Sequence, residues 1–484
     1  MPHGPRPPHT LAQRRPQRRG GQEQRRDPSS ALDAALAAAA AVPAPPAVSF
    51  AGLGVHPHLV TALAARGILE PFAIQSRAIP DALTGRDILG RAQTGSGKTL
   101  AFGLPLLTRL AASTQPREQK APRGLVLVPT RELAQQVTDV LSPLGQTVGV
   151  SIATVYGGVP IGRQIDQVRR ADVVVATPGR LTDLIERHAC TLARTEITVL
   201  DEADHMADLG FLPAVTRLLD QTPGDGQRMF FSATLDRGVG QLVTKYITNP
   251  ALHAVPEAAE STPAEHSILV LRAEDKVPVA LEIASRPGRT LFFVRTKHGA
   301  DRLAKQLSRA GVDAAAIHGN RSQNQRQRAL DGFAAGYPRV LVATDVAARG
   351  IHVDDVDLVV QFDPPEDHKD YLHRSGRTAR AGASGQVVAL AERGQVRDLQ
   401  RMHTAAGITA ARHDAAPGHQ AVREFATSGT PIPPAPGRTP RTATSQSSRR
   451  GAGTSSRASA AKGGVPAART PGPRRQPRRP VRQG

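Results

Sequence analysis

DILGRAQTGSGKTLAFGLPLLTRL (residues 87–110) divides into three parts. DILG (87–90) is a short apolar run that reads as a strand, and KTLAFGLPLLTRL (98–110) reads as a helix packed on a sheet. Between them lies a glycine-rich loop. Strand, loop and helix in that order are the setting in which backbone grips phosphate. Glycines let N–H groups approach the oxygens, a lysine neutralises the outer phosphates, and a hydroxyl serves Mg²⁺. Gly95, Ser96, Gly97, Lys98 and Thr99 supply these groups, although the strict pattern asks for glycine at position 92 and the chain has Ala92.

Similar apolar runs recur on both sides at helix-length spacing. LVLV (125–128), VSIAT (150–154), VVVA (173–176), ITVL (197–200) and MFFS (229–232) come first. After VPEAAESTPA (255–264) the pattern restarts with LFFV (291–294), AAAI (314–317), VLVAT (340–344), LVVQF (358–362) and VVAL (387–390). Runs of four to six apolar residues separated by helix-length segments read as buried parallel strands. They predict an α/β protein of two tandem parallel-sheet units, 48–254 and 265–412, joined by a linker at 255–264.

The ends read differently. Residues 1–47 are rich in Arg, Pro and Ala and poor in large apolar side chains, which predicts a disordered extension. Within it, ALDAALAAAAAVPAP (31–45) imitates a signal peptide, but thirty residues precede it and Asp33 interrupts it. A short helix or a disordered segment is the better reading. Residues 413–484 are Pro, Ser, Gly, Thr and Arg with Phe425 as the one aromatic, and read as a disordered basic tail.

The formal net charge of +20 points to an anionic partner, nucleic acid before membrane surface. Thirteen Lys and Arg against one acid fall in residues 421–484, whereas residues 48–420 hold 42 bases and 38 acids. Codon bias of a GC-rich genome explains 54 Arg against 8 Lys, but not the near absence of acids at the end. Arg pairs at 449–450, 474–475 and 478–479 have no aromatic between them, so the tail is suited to phosphate attraction and not to stacking on bases. Cys190 is the one cysteine, which excludes an intramolecular disulfide and suits a reducing compartment. No apolar run approaches the length of a membrane span, and the expected location is the cytoplasm.

A phosphate loop needs a carboxylate at the end of a neighbouring strand for the metal and a group to orient water. Asp201 and Glu202 follow ITVL directly, within DEAD (201–204), at the edge where open α/β sheets bind ligands. With AQTGSGKT (92–99), PTREL (129–133), GG (157–158), TPGR (177–180), SAT (232–234), QNQR (323–326), TDVAARG (344–350) and HRSGRTAR (373–380) in this order, the chain resembles the DEAD-box family of ATP-dependent RNA helicases. The resemblance runs from about Phe50 to Gly385. That family carries alanine at the first loop position, which accounts for Ala92.

The resemblance implies two RecA-like lobes with ATP between them. Thr94, Gly95, Ser96, Gly97, Lys98 and Thr99 would hold the phosphates. Thr99 and Asp201 would hold Mg²⁺, partly through water, with Glu202 beside them. In PFAIQ (71–75), Gln75 would read the N6/N7 edge of adenine, a pairing that suits glutamine, and Phe50 would stack on the base. Asp345 and Gly350 would complete the nucleotide side. Arg377 and Arg380 from the second lobe would stabilise charge on the transferring phosphoryl group. Thr130, Arg131, Gly158, Thr177, Arg180, Gln323, Arg326 and Thr344 would contact the RNA backbone without reading sequence, and Ser232 and Thr234 would couple hydrolysis to strand separation. Some positions depart from the family pattern: Ile68 where an aromatic is common, Ser375 and Ala379 for Ile and Gly, and His352 where an Asp is usual, with Asp354 and Asp355 nearby.

The reading is therefore an RNA-stimulated ATPase that separates short RNA duplexes. An RNA-binding or annealing chaperone with weak ATPase activity is the alternative, against which Lys98, Glu202, Arg377 and Arg380 argue. A DNA helicase with a related core is a third reading, disfavoured by the adenine-reading glutamine and the literal DEAD.

Overall fold

The computed structural model describes residues 4, 28–42, 49–92, 95–235, 237–255, 264–348, 356–379 and 385–431. Among these residues the strands form two seven-stranded sheets, every neighbouring pair parallel. The first sheet holds β1 (Ile88–Arg91), β2 (Gly124–Leu127), β3 (Ile152–Val155), β4 (Val173–Ala176), β5 (Ile197–Leu200), β6 (Gln227–Ser232) and β7 (Ala251–Ala254). The second holds β8 (Glu265–Leu271), β9 (Thr290–Phe293), β10 (Ala314–Ile317), β11 (Val340–Ala343), β12 (Leu358–Gln361), β13 (Gln386–Glu392) and β14 (Ala410–Asp414). Their orders are β3-β4-β2-β5-β6-β1-β7 and β10-β11-β9-β12-β13-β8-β14, so the second repeats the first strand for strand. The expected α/β class with two tandem lobes is borne out.

Alternation explains the burial. In the first lobe Ile88, Val126, Val173, Val199 and Phe231 face one cluster of helices, while Leu89, Leu125, Val174, Leu200 and Phe230 face the other. Successive side chains on a strand point to opposite faces, so a sheet covered on both faces needs an unbroken apolar run. The second lobe is built the same way from its own two clusters. Helices start where side chains cap them: Thr130 accepts from the Leu133 N–H, Thr296 from Gly299, Ser322 from Gln325 and Asp367 from Asp370.

Two expectations about the ends need correction. Residues 28–41 form a helix, the first of the two readings offered for 31–45 and against the disorder expected of 1–47 as a whole, and Leu36 is fully buried against the first lobe. Arg77 fastens it, donating to the carbonyls of Ala39 (3.0 Å) and Val42, and Arg91 pairs with Asp33 at 3.6 Å. An alanine-rich helix needs only one large apolar anchor to dock, a minimum that composition does not register.

At the other end the expected boundary at 412 falls inside β14. The helix Gln420–Thr427 beyond it buries Ala421, Val422 and Phe425. Arg286, 1% exposed, then holds the segment: it donates to the Ser428 carbonyl at 3.1 Å and to the Ser428 hydroxyl at 3.2 Å. Asp357 accepts from the Thr430 N–H at 3.2 Å. Residues 432–484, with every arginine pair of the tail, lie outside the described residues, as do most of the linker and residues 351–355 with His352, Asp354 and Asp355. Among the described residues no helix is long and apolar enough to cross a membrane.

Candidate active site and nucleic-acid interface

Strand order divides the rim of the first sheet. The phosphate loop, DEAD and SAT leave the C-terminal ends of β1, β5 and β6, which are adjacent. PTREL, GG and TPGR leave β2, β3 and β4, also adjacent. One half of the rim collects the nucleotide motifs and the other half the expected RNA motifs.

In the nucleotide half, Gly95 and Gly97 adopt φ of 94° and 85°, a region that favours glycine. A Cβ on Gly97 would also strike the amide of Gln75 and come within 2.7 Å of Phe72 Cδ2. Gln75, 2% exposed, donates from Nε2 to the Gly97 carbonyl at 2.9 Å and accepts from the Phe72 N–H at 2.8 Å. Its amide thus joins the phosphate loop to the start of its own helix, with one N–H and one lone pair left for a base edge. Phe50, expected to stack on the base, is instead 2% exposed and packed in the core with Leu53, Val55 and Leu59. Thr94, Gly350 and Arg380 lie outside the described residues.

Lys98 opens the helix Lys98–Ala112, with Thr99 next, and its Nζ lies 3.9 Å from the Asp201 carboxylate. Both are buried. Burial pushes the Asp201 carboxyl up to about 6, with Lys98 opposing and Glu202 and Asp204 adding to the rise. For Glu202 burial also favours the neutral acid, but a hydrogen bond from His205 and the charges of Lys98 and Arg377 outweigh it and hold the carboxyl below its usual range. Glu202 has φ 54° and ψ 52°, a left-handed backbone that costs a non-glycine residue roughly 1–2 kcal/mol. Such strain persists only where neighbours hold it.

Asp204, which the sequence reading passed over, ties the motifs together. Its carboxylate accepts from the N–H groups of Ala233 (3.2 Å) and Thr234 (2.9 Å) and from the Thr234 hydroxyl (3.0 Å), and its own N–H donates to Ser232 Oγ at 3.2 Å. Ser232 and Thr234 are thereby bonded to the DEAD segment. The fourth letter of that motif was the available signal.

The second lobe closes over this rim. Lys98, Glu202, Asp204, His205 and Ala233 line a cavity of about 30 Å³ with His373 and Arg377 from the other lobe. That is about the volume of one water. Arg374, which the sequence reading did not single out, is 3% exposed and grips both carboxylate oxygens of Asp345, at 2.5 and 2.8 Å. It also donates to the Asp363 carbonyl at 2.7 Å. Asp345, expected at the nucleotide, here positions the arginine-bearing helix His368–Ser375.

In the other half of the rim, Thr130 and Thr177 precede two helix N-termini, Arg131–Thr147 and Pro178–Glu186. Such ends attract anions. Gly158, at φ 83°, gives way to the Arg131 guanidinium, which would lie 2.8 Å (Cζ) from a Cβ there. Arg180 reaches the same loop, donating to the Val159 carbonyl at 3.1 Å. Thr130, Arg131, Gly158, Thr177 and Arg180 therefore share one surface. Thr344 follows β11, buried, with its carbonyl accepting from Ala347 and Ala348.

Gln323 and Arg326, expected on RNA, are committed elsewhere. Glu132 of PTREL, 3% exposed, accepts from Gln323 Nε2 at 3.0 Å and pairs with Arg326 at 3.1 Å across the lobes. This clasp was not legible because its partners lie 191 residues apart.

Similarity to known proteins agrees with this architecture. The DEAD/DEAH box helicase model matches residues 72–242, and the helicase conserved C-terminal domain model matches 275–382. DEAD-box ATP-dependent RNA helicase 9 of Oryza sativa subsp. japonica is 39% identical over 365 residues, 74% of this chain and 58% of that protein. ATP-dependent rRNA helicase RRP3 of Eremothecium gossypii is 39% identical over 366 residues, 74% of each. The chain spans only 56–60% of the length of the rice protein and three further plant relatives. The solved structure of S. cerevisiae Dbp5 bound to RNA and ADP BeF3 superposes with a TM-score of 0.68 at 31% identity, covering 76% of this chain and 95% of that one. On the order of its motifs, the duplicated sheets and this extent of similarity, the chain belongs to the DEAD-box family of helicases.

Proposed function

We propose that the chain is an RNA-stimulated ATPase that uses lobe closure to separate short RNA duplexes locally. The observation that carries the proposal is the cavity in which Lys98 and Glu202 of one lobe meet Arg377 of the other. A site divided in this way is complete only when the lobes are together, so whatever closes them permits hydrolysis. Dbp5, a solved relative, is bound to RNA and ADP BeF3, which suits RNA as the closing ligand here.

The residues fit ATP and Mg²⁺. Glycines shape the loop, a helix begins at Lys98, and the buried carboxylate of Asp201 lies 3.9 Å from that lysine with Glu202 beside it. Among the described residues no cluster of His, Cys, Asp and Glu could hold a metal alone. That agrees with Mg²⁺, which keeps waters and phosphate oxygens and takes one or two protein carboxylates. Thr99 and Asp201 would hold it, where it would neutralise charge on the phosphates. Lys98 binds the outer phosphates, Glu202 orients the attacking water and accepts its proton, and Arg377 with Arg380 stabilises charge as the γ-phosphoryl group leaves. Gln75 supports ATP over other nucleotides.

Arg131, Arg180 and the two helix N-termini suit a sugar–phosphate backbone. At about 1.4 kcal/mol per stacked step, bending one strand over a few steps frees a short duplex and not a long one. The twelve basic residues and no acids of 432–484 would add attraction to RNA without sequence preference. The arginine bias fits a GC-rich bacterial genome, and the lone free Cys190 fits the cytoplasm.

The test is steady-state ATP hydrolysis with and without single-stranded RNA, wild type beside Glu202→Gln, with equal-length DNA in parallel. RNA stimulation lost in the variant is expected. Tight RNA binding with hydrolysis at the level of the variant would replace the proposal with an RNA clamp or annealing chaperone, and equal stimulation by DNA would replace it with a less selective helicase.

A further inference from the structure

Directly after DEAD the chain places His205, the third residue of the helix Ala203–Asp208. Glu202 is the left-handed N-cap of this helix, and its turn brings the carboxylate within reach of the imidazole three residues on. Its Nδ1 lies 3.2 Å from Glu202 Oε2, with the two side chains 6% and 10% exposed. A carboxylate accepts only, so Nδ1 carries the hydrogen. In the neutral ring Nε2 is then an acceptor, and it has no hydrogen-bond partner among the described residues. The same ring forms part of the wall of the cavity of about 30 Å³ shared with Lys98 and Arg377.

A buried polar atom without a partner forfeits its hydration, and this one belongs to a ring that lines the cavity beside Glu202. The cavity beside it has room for a water, which would supply the missing donor. We infer that His205 is a positioning residue for hydrolysis, fixing the Glu202 carboxylate through Nδ1 and orienting the attacking water through Nε2. This rests on the ATPase reading above and deepens it.

With one proton of the water directed to Glu202 and the other to Nε2, the oxygen lone pair is left to face the γ-phosphorus. The water oxygen forms a bond to phosphorus as the bond to the bridging oxygen breaks. ADP leaves with the bonding electrons, one proton passes to Glu202, and the second stays on the new phosphate. The strained backbone of Glu202 adds to the case: a side chain on such a residue is held by what it touches, and the His205 ring is one of those contacts.

The experiment uses the full-length chain. RNA-stimulated kcat, KM for ATP, equilibrium binding of a fluorescent ATP analogue and the melting temperature are measured for wild type, His205→Ala and His205→Asn. Losing a hydrogen bond to a charged group corresponds to roughly a 10- to 100-fold fall in rate. His205→Ala is expected to lose that much kcat, with KM and analogue affinity within about twofold. His205→Asn, whose amide N–H replaces Nδ1, should recover a large part of the loss. If alanine keeps wild-type kcat, or if both variants bind the analogue weakly and melt early with kcat preserved, His205 is structural and the inference fails. Should the alanine variant not fold, the asparagine variant decides: kcat lowered less than tenfold at unchanged affinity supports it, and unchanged kcat refutes it. A wild type with no RNA-stimulated hydrolysis overturns the ATPase reading itself, and that arm separates the two failures.

Discussion

Replacing Glu132 with alanine removes the acceptor that Gln323 and Arg326 share across the lobes. Both contacts are short, 3.0 and 3.1 Å, and the side chains of Glu132 and Arg326 are 3% and 11% exposed, so solvent screens them little. Were Arg326 to stay buried without its partner, the loss would be about 3–5 kcal/mol. It does not have to stay buried, because the lobes can part and let it hydrate. The penalty therefore falls on closure and not on folding, at roughly the 2–3 kcal/mol of charged hydrogen bonds. That corresponds to a closed-to-open ratio lowered about 30- to 140-fold. Glu132→Gln keeps an acceptor for Gln323 and loses only the charge, so its effect should be smaller. The assay is single-molecule energy transfer between dyes, one in each lobe, with RNA and a non-hydrolysable ATP analogue, alongside RNA-stimulated kcat and melting of the free protein. Closure and kcat should fall together while the melting temperature holds. A Glu132→Ala protein whose closed fraction and kcat stay within twofold of wild type would refute the clasp.

Deleting residues 432–484 removes twelve basic side chains and none of the described elements, so the slope of log RNA affinity against log salt should flatten with the melting temperature unchanged. Deleting from 421 removes Val422, Phe425 and the Ser428 acceptors of Arg286, and the melting temperature should fall as well; equal melting of the two truncations would refute the packing of that helix. His266 is pushed down to about 4 by burial and by His403, and burial lowers His403 too. Both are neutral when folded but take up protons below about 6.5 when unfolded. Stability is thus fully present above 6.5 and is lost as pH falls toward 4; His266→Gln should shallow the dependence of melting temperature on pH over that window, and an unchanged slope would refute it. Cys190, 4% exposed, has its thiol pushed up to about 12 by burial, so it should react with thiol reagents only at the rate of opening. Prompt labelling of the native protein would contradict its burial.

Much of the architecture was legible because central parallel strands leave apolar runs. The strands missed were β7, β8 and β14, and β7 and β14 lie at sheet edges. β14 is AARHD, with no fully buried position. A strand with one neighbour and one covered face needs no apolar run, so hydropathy does not register it. Strand order offers a better signal, since β14 in the second lobe repeats β7 in the first. Site residues were found where spacing along the chain carries them. Clustering in space was not legible: Glu132 with Gln323 and Arg326, and Arg374 with Asp345, depend on folding or on lobe closure. His205 lay between these cases, because its three-residue offset from Glu202 is local.

The repetition of one sheet in the other reaches a pair of side chains. Lys98 opens the helix after β1 and faces Asp201 after β5; Lys276 opens the helix after β8 and faces Asp363, beyond β12, at 3.3 Å. These are corresponding positions in duplicated units. In the second, however, β8 leads through Arg272, Ala273, Glu274 and Asp275, with no glycine and two acids where the first lobe has its glycine loop. A salt bridge has survived there without the cradle that would make it a phosphate site. The two sheets thus carry different rims: the glycine loop that would hold the nucleotide belongs to the first, and the second presents the arginine-bearing helix. On the proposed ATPase reading the expected stoichiometry is one ATP per chain, a single equivalence point at 1:1 in a calorimetric titration; two equivalents would refute this division of the lobes.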